Sequence, residues 1–512
     1  MNDGARTDMS AAQSVSPVVP IPASAAARFS ARLLDPDQWP VDDGGRPAAP
    51  TLYVGDRIVV PGSSEHSAGS AVKTIQDMVG ERARVVVVSP ARTGDRILRQ
   101  PGLAERLQGV APTVLRLVPT SADPRPVDAA PWVLRARDAG IPAGLSHIMT
   151  VAGYLQGVGY LQGVGYLQGV GYLQGVGYLQ GVGTEAAGAS RAPVSWAAPD
   201  PAASVDSTDG PVVALLDTGI GEHPWFARGT ERDPRLGGEP IGLRFAAADD
   251  PERTGVTLDR VNGTLDPLAG HGTFLAGIVR QHCPAASLIS APVMYGDGTA
   301  DETDLLAALT DLYAYHLLVC GGHVDARPLD VVSLSMGYYA ESPDAVVHGS
   351  ALAAILKALG DAGVSVVAAA GNDATTTPFF PAGLAAGGAG AVPLLAVGAT
   401  DPGEALVSVY SNTGAWVTAY RAATNVVSTM PTTFNAASRA TLSTTAGELP
   451  ARATVDLDDY SAGFGIWSGT SFAAPALAGD VAAALGRGGG PDDDERRHRV
   501  IAAVQSCLGG VS

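Results

Sequence analysis

The chain has 512 residues, too many for one ordinary hydrophobic core, so two or more structural units are expected. Its 33 Lys and Arg against 51 Asp and Glu give a formal charge of −18, with Lys73 and Lys357 the only lysines and no basic tract, which argues against nucleic-acid partners. A hydrophobic content of 46% excludes wholesale disorder, three cysteines cannot form a disulfide framework, and no run of 18 apolar residues marks a membrane span.

Residues 1–50, rich in Ala, Ser, Asp and Pro, read as an irregular segment. They lack the basic run and apolar core of a secretion signal, so a cytoplasmic location is expected. Strands are predicted at Thr51–Val60, Ala83–Val88 and Thr113–Val118, with helices at Ala71–Val79 and Ala129–Ala139, the latter stopped by Gly140. These make a small α/β domain over 51–150 whose role the pattern does not reveal. Residues 153–182 are five identical copies of GYLQGV. Each copy holds two glycines, each costing about 1 kcal/mol against alanine in a helix, and its Tyr, Leu and Val do not share one strand face. With the Ala/Pro-rich stretch that follows, 151–204 reads as a repeat-containing linker.

The texture of 205–512 is different. Apolar strands are predicted at Val212–Leu216, Ser287–Val293, Val331–Leu334, Val364–Ala370 and Leu394–Val397. Helices fall at Phe274–Arg280, Thr303–Leu318, Ala351–Ala362, Phe472–Ala484 and Glu495–Leu508. Strands without polar alternation, separated by helices, imply a mostly parallel sheet covered on both faces, a three-layer α/β/α sandwich.

Four segments carry chemistry. Asp217 ends a buried strand, at the edge where parallel sheets place their sites. His271 lies between Gly270 and Gly272 at the start of a helix, with little steric cover. Ser471 opens another helix in Gly469-Thr-Ser-Phe-Ala-Ala-Pro475, where backbone amides face an incoming oxyanion. Asn372 follows a buried strand and can donate its carboxamide N–H from a fixed position. Nucleophile Ser471, general base Ser-activating His271 and orienting acid Asp217 are the parts of an acyl-transfer site, with Asn372 and the Ser471 amide as its oxyanion donors.

These segments resemble the subtilisin-like serine peptidases: DTG at 217–219, GHGT at 270–273, SMG at 335–337, AAGN at 369–372 and GTSFAAP at 469–475, in the chain order Asp, His, Ser. The resemblance covers about 205–510. It implies a serine endopeptidase acting on protein or peptide substrates, with no required cofactor. It places Ser335, Met336, Gly337, Ala369 and Gly371 along the substrate, which pairs there as an added strand. Phe379 would stand at the floor of the first specificity pocket and disfavour large side chains. The family often binds calcium, but Asp297, Asp301, Glu302 and Asp304 match no calcium-loop spacing, so no metal ligand is assigned. The chain departs from the family in a polar insertion around 228–262 and a Ser/Thr-rich stretch between Val427 and Trp467. Neither membrane nor nucleic acid is an expected partner. Residues 51–150 are expected to restrain the groove, with partner binding as the competing account. Two other readings of the whole remain open at this point: a dormant peptidase fold that binds peptides, and an interaction protein built around the repeats.

Overall fold

Apolar strands need cover on both faces, and in the computed structural model flanking helices supply it. The structure describes residues 20–40, 47–62, 65–88, 102–121, 123–151, 191–196, 198–207, 210–387, 390–440, 442–486 and 493–508. The five GYLQGV copies lie outside them. The central sheet runs in the order Ala419–Ala422, Leu395–Thr400, Ser365–Ala369, Val331–Leu334, Val212–Asp217, Ser287–Pro292 and Thr230–Glu231. Every pairing in it is parallel. Val212–Asp217 is buried along its whole length between Val331–Leu334 and Ser287–Pro292, so its last residue emerges near the middle of the sheet's carboxyl edge. Helices His271–His282 and Thr470–Leu485 pack on each other, and the second also packs across several strands. Glu302–Cys320 and Ala351–Asp361 form another packed pair.

The first region builds its own antiparallel sheet. Strands β1 (Ala31–Leu33), β2 (Leu52–Val60), β3 (Ala83–Val88), β4 (Thr113–Pro119) and β5 (Gly144–Val151) pair as β1–β2, β2–β4, β3–β4 and β2–β5. A separate apolar core, including Tyr53, Ile58, Ile75, Leu115, Leu117 and Val133, fills its interior. The two regions then share a sheet. The last residues of β5 pair antiparallel with Thr299–Asp301 on one side and with Met336–Gly337 on the other. Thr150 lies opposite both Thr299 and Gly337, Val151 lies opposite Met336, and the Val151 amide donates to the Gly298 carbonyl at 2.9 Å.

The segment 1–50 is not irregular throughout. A helix at Ala23–Arg28 and strand β1 stand there, held because Ala25 and Phe29 pack against Val54 and Ile148. The helix expected at 71–79 begins at Glu65. Strand β5 was not predicted from sequence, since Ser146 and His147 interrupt its apolar pattern. Both are buried, and partners in the second region satisfy them.

Candidate active site

Asp217 and His271 meet at the sheet's carboxyl edge, and Ser471 comes beside them on a third element, next in the chain to Phe472, whose ring packs on the imidazole; the Ser471 hydroxyl itself is bonded to Ser335 and not to His271. Asp217 ends its strand, and its Oδ1 accepts the Thr218 amide at 2.8 Å and lies 2.7 Å from His271 Nδ1. Gly270 turns into the helix with φ 82°, and His271 is that helix's first residue. Helix and strand can approach because Gly272 has no side chain: a Cβ there would lie 2.0 Å from the Gly219 carbonyl oxygen. His271 Nε2 is buried and has no hydrogen-bond partner among the described residues. Phe472 and Trp467 pack within 5.6 Å of the imidazole, ring centre to ring centre, and keep its surroundings apolar.

Ser471 is the second residue of helix Thr470–Leu485. Its hydroxyl donates to the Ser335 carbonyl at 3.4 Å, a long bond that leaves the hydroxyl easy to turn. Pro475 lies inside this helix and lacks the N–H that would otherwise bond the Ser471 carbonyl four residues back. That carbonyl instead accepts from Ser335 Oγ at 2.9 Å, which ties the nucleophile's backbone to the strand that follows Val331–Leu334. Asn372 Oδ1 accepts the Thr470 amide at 2.8 Å, and the Gly371 amide donates to Thr470 Oγ1 at 3.1 Å. These bonds fix the Asn372 carboxamide beside the start of the Ser471 helix.

Glu252, within the insertion expected only to be polar, is the residue that sequence reasoning missed. It is buried and accepts from the hydroxyls of Thr218 and Thr273 and from the Gly272 amide at 3.2 Å. It thereby joins the Asp217 loop to the His271 helix. Burial pushes its carboxyl up to about 8, against the pull of the two hydroxyls. A lone Glu in a polar stretch carries no sequence signal for this position. Asn412 was also missed: it accepts the Asp373 and Thr375 amides at 3.0 and 3.2 Å and donates to the Ala370 carbonyl at 2.8 Å, bracing the 369–375 segment.

Met336 and Gly337 form the short strand that pairs with β5, and Ala369 ends the neighbouring strand of the central sheet. The Phe379 ring is buried beneath them. A Cβ on Gly337 would lie 2.6 Å from that ring, and one on Gly371 3.3 Å from it.

The acidic cluster at 297–304 faces the first region. Asp297 pairs with Arg28 at 2.9 Å, Asp301 with Arg57, and Glu302 with His147 at 2.8 Å. Among the described residues no group of three or more His, Cys, Asp and Glu side chains is arranged to hold a metal. No helix among them is long and apolar enough to cross a membrane.

Comparison with known proteins bears on this geometry. The sequence profile of the subtilase family matches residues 208–499. No curated protein matches the chain. Among the similar solved structures is one described as the crystal structure of a cold adapted subtilisin-like serine proteinase. It is 20% identical, covers 55% of this chain and 77% of its own, and has a TM-score of 0.33.

Proposed function

The chain belongs to the subtilase family and is a subtilisin-like serine endopeptidase, and on that premise we propose how its residues divide the work and what holds it in check. Ser471 Oγ attacks the scissile carbonyl carbon while His271 Nε2 takes its proton. Asp217 holds the imidazole by Nδ1 and stabilises the imidazolium. Asn372 and the Ser471 amide donate to the oxyanion of the tetrahedral intermediate. As this collapses, His271 returns the proton to the leaving amine and the acyl group stays on Ser471. Water, deprotonated by His271, then releases it. The observation that carries this reading is the 2.7 Å Asp217–His271 contact with Nε2 left open in an apolar setting. Phe379, beneath Gly337 and Gly371, limits the first pocket to small side chains, so Phe379→Gly widens acceptance toward Phe and Tyr.

The first region is the restraint. Its β5 lies between Thr299–Asp301 and Met336–Gly337, where an extended substrate would add as a strand, and so competes with substrate for the same backbone groups. Release then requires a cut between 151 and 210. The two helix pairs are read as outer layers of an α/β/α sandwich. A reducing, cytoplasmic setting agrees with Cys283, Cys320 and Cys507 standing outside any disulfide among the described residues. The test is incubation of the full chain beside Ser471→Ala, with samples withdrawn over time and only then treated with a fluorophosphonate label, which blocks the nucleophile it marks. The active chain should take the label on Ser471 and convert to a fragment of roughly 300 residues, about the span from 205 to 512, while Ser471→Ala stays whole and unlabelled. An active chain that never shortens refutes the restraint, and an unlabelled Ser471 refutes the nucleophile.

A further inference from the structure

His147 fills a slot that the peptidase region builds for a cation. Its Nδ1 is 2.8 Å from Glu302 and its Nε2 2.8 Å from Glu341. Its ring stacks on Tyr338 with centres 4.0 Å apart and planes 11° from parallel. The Tyr338 hydroxyl donates to the far oxygen of Glu302 at 3.4 Å, so floor and wall are themselves connected. Glu302, Glu341 and Tyr338 are all buried and all belong to the second region. Among the described residues, the ion pairs of both glutamates are made with the first region, to His147 and, for Glu341, also to Arg137 at 3.7 Å. When β5 leaves, two carboxylates are left one imidazole's width apart with no counter-charge from their own region. That arrangement is costly unless a cation or water replaces what left.

We propose that, once uncovered, this slot is a substrate subsite that selects a basic side chain, an imidazolium, guanidinium or ammonium. The proposal rests on the reading that β5 occupies the substrate groove. Register fixes where in a substrate that side chain must stand. Val151 lies opposite Met336 and Ile148 opposite Asp301, so the slot receives the residue four places before the one that takes Val151's place. Successive strand residues point to opposite faces, so His147, Met149 and Val151 share one side, and neighbours at 146 or 148 cannot reach the slot. A charged hydrogen-bonded pair and the flat face of Tyr338 both favour a cation, and guanidinium suits both at once. An apolar side chain would cover the carboxylates without satisfying them. In the docked chain a cavity of about 320 Å³ borders the slot; Val59, Arg137, Pro142 and Leu145 on one wall leave with the first region, while Glu302, Tyr338 and Glu341 on the other remain.

The test uses the full-length protein after its casein digestion rate has become constant. Octapeptides with the sequence of Gly144–Val151, carrying His, Arg, Lys, Leu or Glu at position 147, are added as competitive inhibitors. The basic peptides should inhibit roughly tenfold or more tightly than the Leu peptide, and the Glu peptide least. In Glu302→Gln/Glu341→Gln the Arg-to-Leu ratio should fall to within about twofold, whereas a merely structural pair would weaken all peptides alike. The wild-type ratio decides the matter even where the double variant does not fold. Equal inhibition by Arg and Leu peptides, or none by any of them while casein is digested, overturns the slot and leaves the peptidase reading intact. An absence of casein digestion overturns both.

Discussion

Among the described residues two histidines are buried against carboxylates, one in the active site and one where the first region meets the second. His271 has Asp217 at 2.7 Å from Nδ1 and an Nε2 without a partner among the described residues. His147 has Glu302 on Nδ1 and Glu341 on Nε2, each at 2.8 Å. Burial alone would lower the His147 imidazole, but the two glutamates outweigh it and lift it to about 9. With both nitrogens taken, the ring stays charged and holds two elements together. With one nitrogen open, it can take a proton and give it back. The partner of the second nitrogen, and not burial or the first carboxylate, separates a clamp from a general base.

The largest effects should come from the open side of that comparison. Ser471→Ala and His271→Ala should each lower turnover by roughly 10⁶-fold and Asp217→Asn by about 10⁴-fold, magnitudes taken from subtilisin and the chymotrypsin-type triad rather than from this chain. A double variant should cost little more than one of the first two alone, since the groups act as a unit. Steady-state turnover with thermal unfolding as control checks this, and His271→Ala retaining a few per cent of activity would break the comparison. Asn372→Leu should lower kcat by about 10²–10³-fold with little change in KM, again the subtilisin magnitude. A smaller loss, about tenfold in kcat, is expected for Glu252→Ala, which removes the acceptor of the Thr273 hydroxyl and leaves the Thr218 hydroxyl only Asp217 Oδ1, at 3.1 Å. Glu252→Gln, neutral and the same shape, should retain most activity.

The clamp side should respond in the opposite direction. His147→Leu leaves Glu302 and Glu341 buried without their shared counter-charge, so β5 should loosen while Asp217, His271 and Ser471 are untouched. Where His271→Ala abolishes digestion, His147→Leu should bring on digestion sooner, by about tenfold in the rate at which activity appears. Hydrogen exchange of the Thr299–Asp301 amides should quicken with it. Slower onset would mean that His147 supports the fold of the groove and not its cover.

The active site was legible because its residues stand in local patterns. A strand that ends in Asp217, a His271 between glycines and a Ser471 that opens a helix are each set by a few neighbours, and the apolar runs around them fix the parallel sheet. What could not be read depends on distant partners. Strand β5 looked too polar, because the carboxylates that satisfy Ser146 and His147 lie more than 150 residues further along the chain. Glu252 sits 34 residues from Thr218 and 20 from Gly272, in a stretch with no periodic pattern. The acids at 297–302 were visible as a cluster, but the cations that face them, Arg28, Arg57 and His147, belong to a region whose contact with them no local pattern records.

The smallest expected effect, and the one that separates the two histidines most cleanly, is the pH dependence of the clamp. Undocked, the His147 imidazole should titrate near 6.5, as an ordinary histidine does; docked, it is held at about 9. Its contribution to docking is then fully present below about pH 6.5, declines above it, and is lost as pH rises through about 9. Glu341 sets the acid side. Burial would raise its carboxyl, but His147 and Arg137 hold it below its ordinary value, so its contribution is present above the ordinary carboxylate range and lost as pH falls through the docked value. Tyr338, the other group on the ring, is held well above its ordinary range by burial and stays neutral across this window. Docking should therefore be tightest in mildly acidic solution and weaken steadily toward pH 9. Ser471→Ala keeps the chain whole for the measurement, which is exchange of the β5 and Thr299–Asp301 amides at pH 8 and pH 9, corrected for the intrinsic rate. Protection should fall several-fold, about as expected from one charged group between two carboxylates. His147→Leu in the same background should flatten the profile. A profile that His147→Leu leaves unchanged would place the titrating group elsewhere and remove His147 as the charged partner in the clamp.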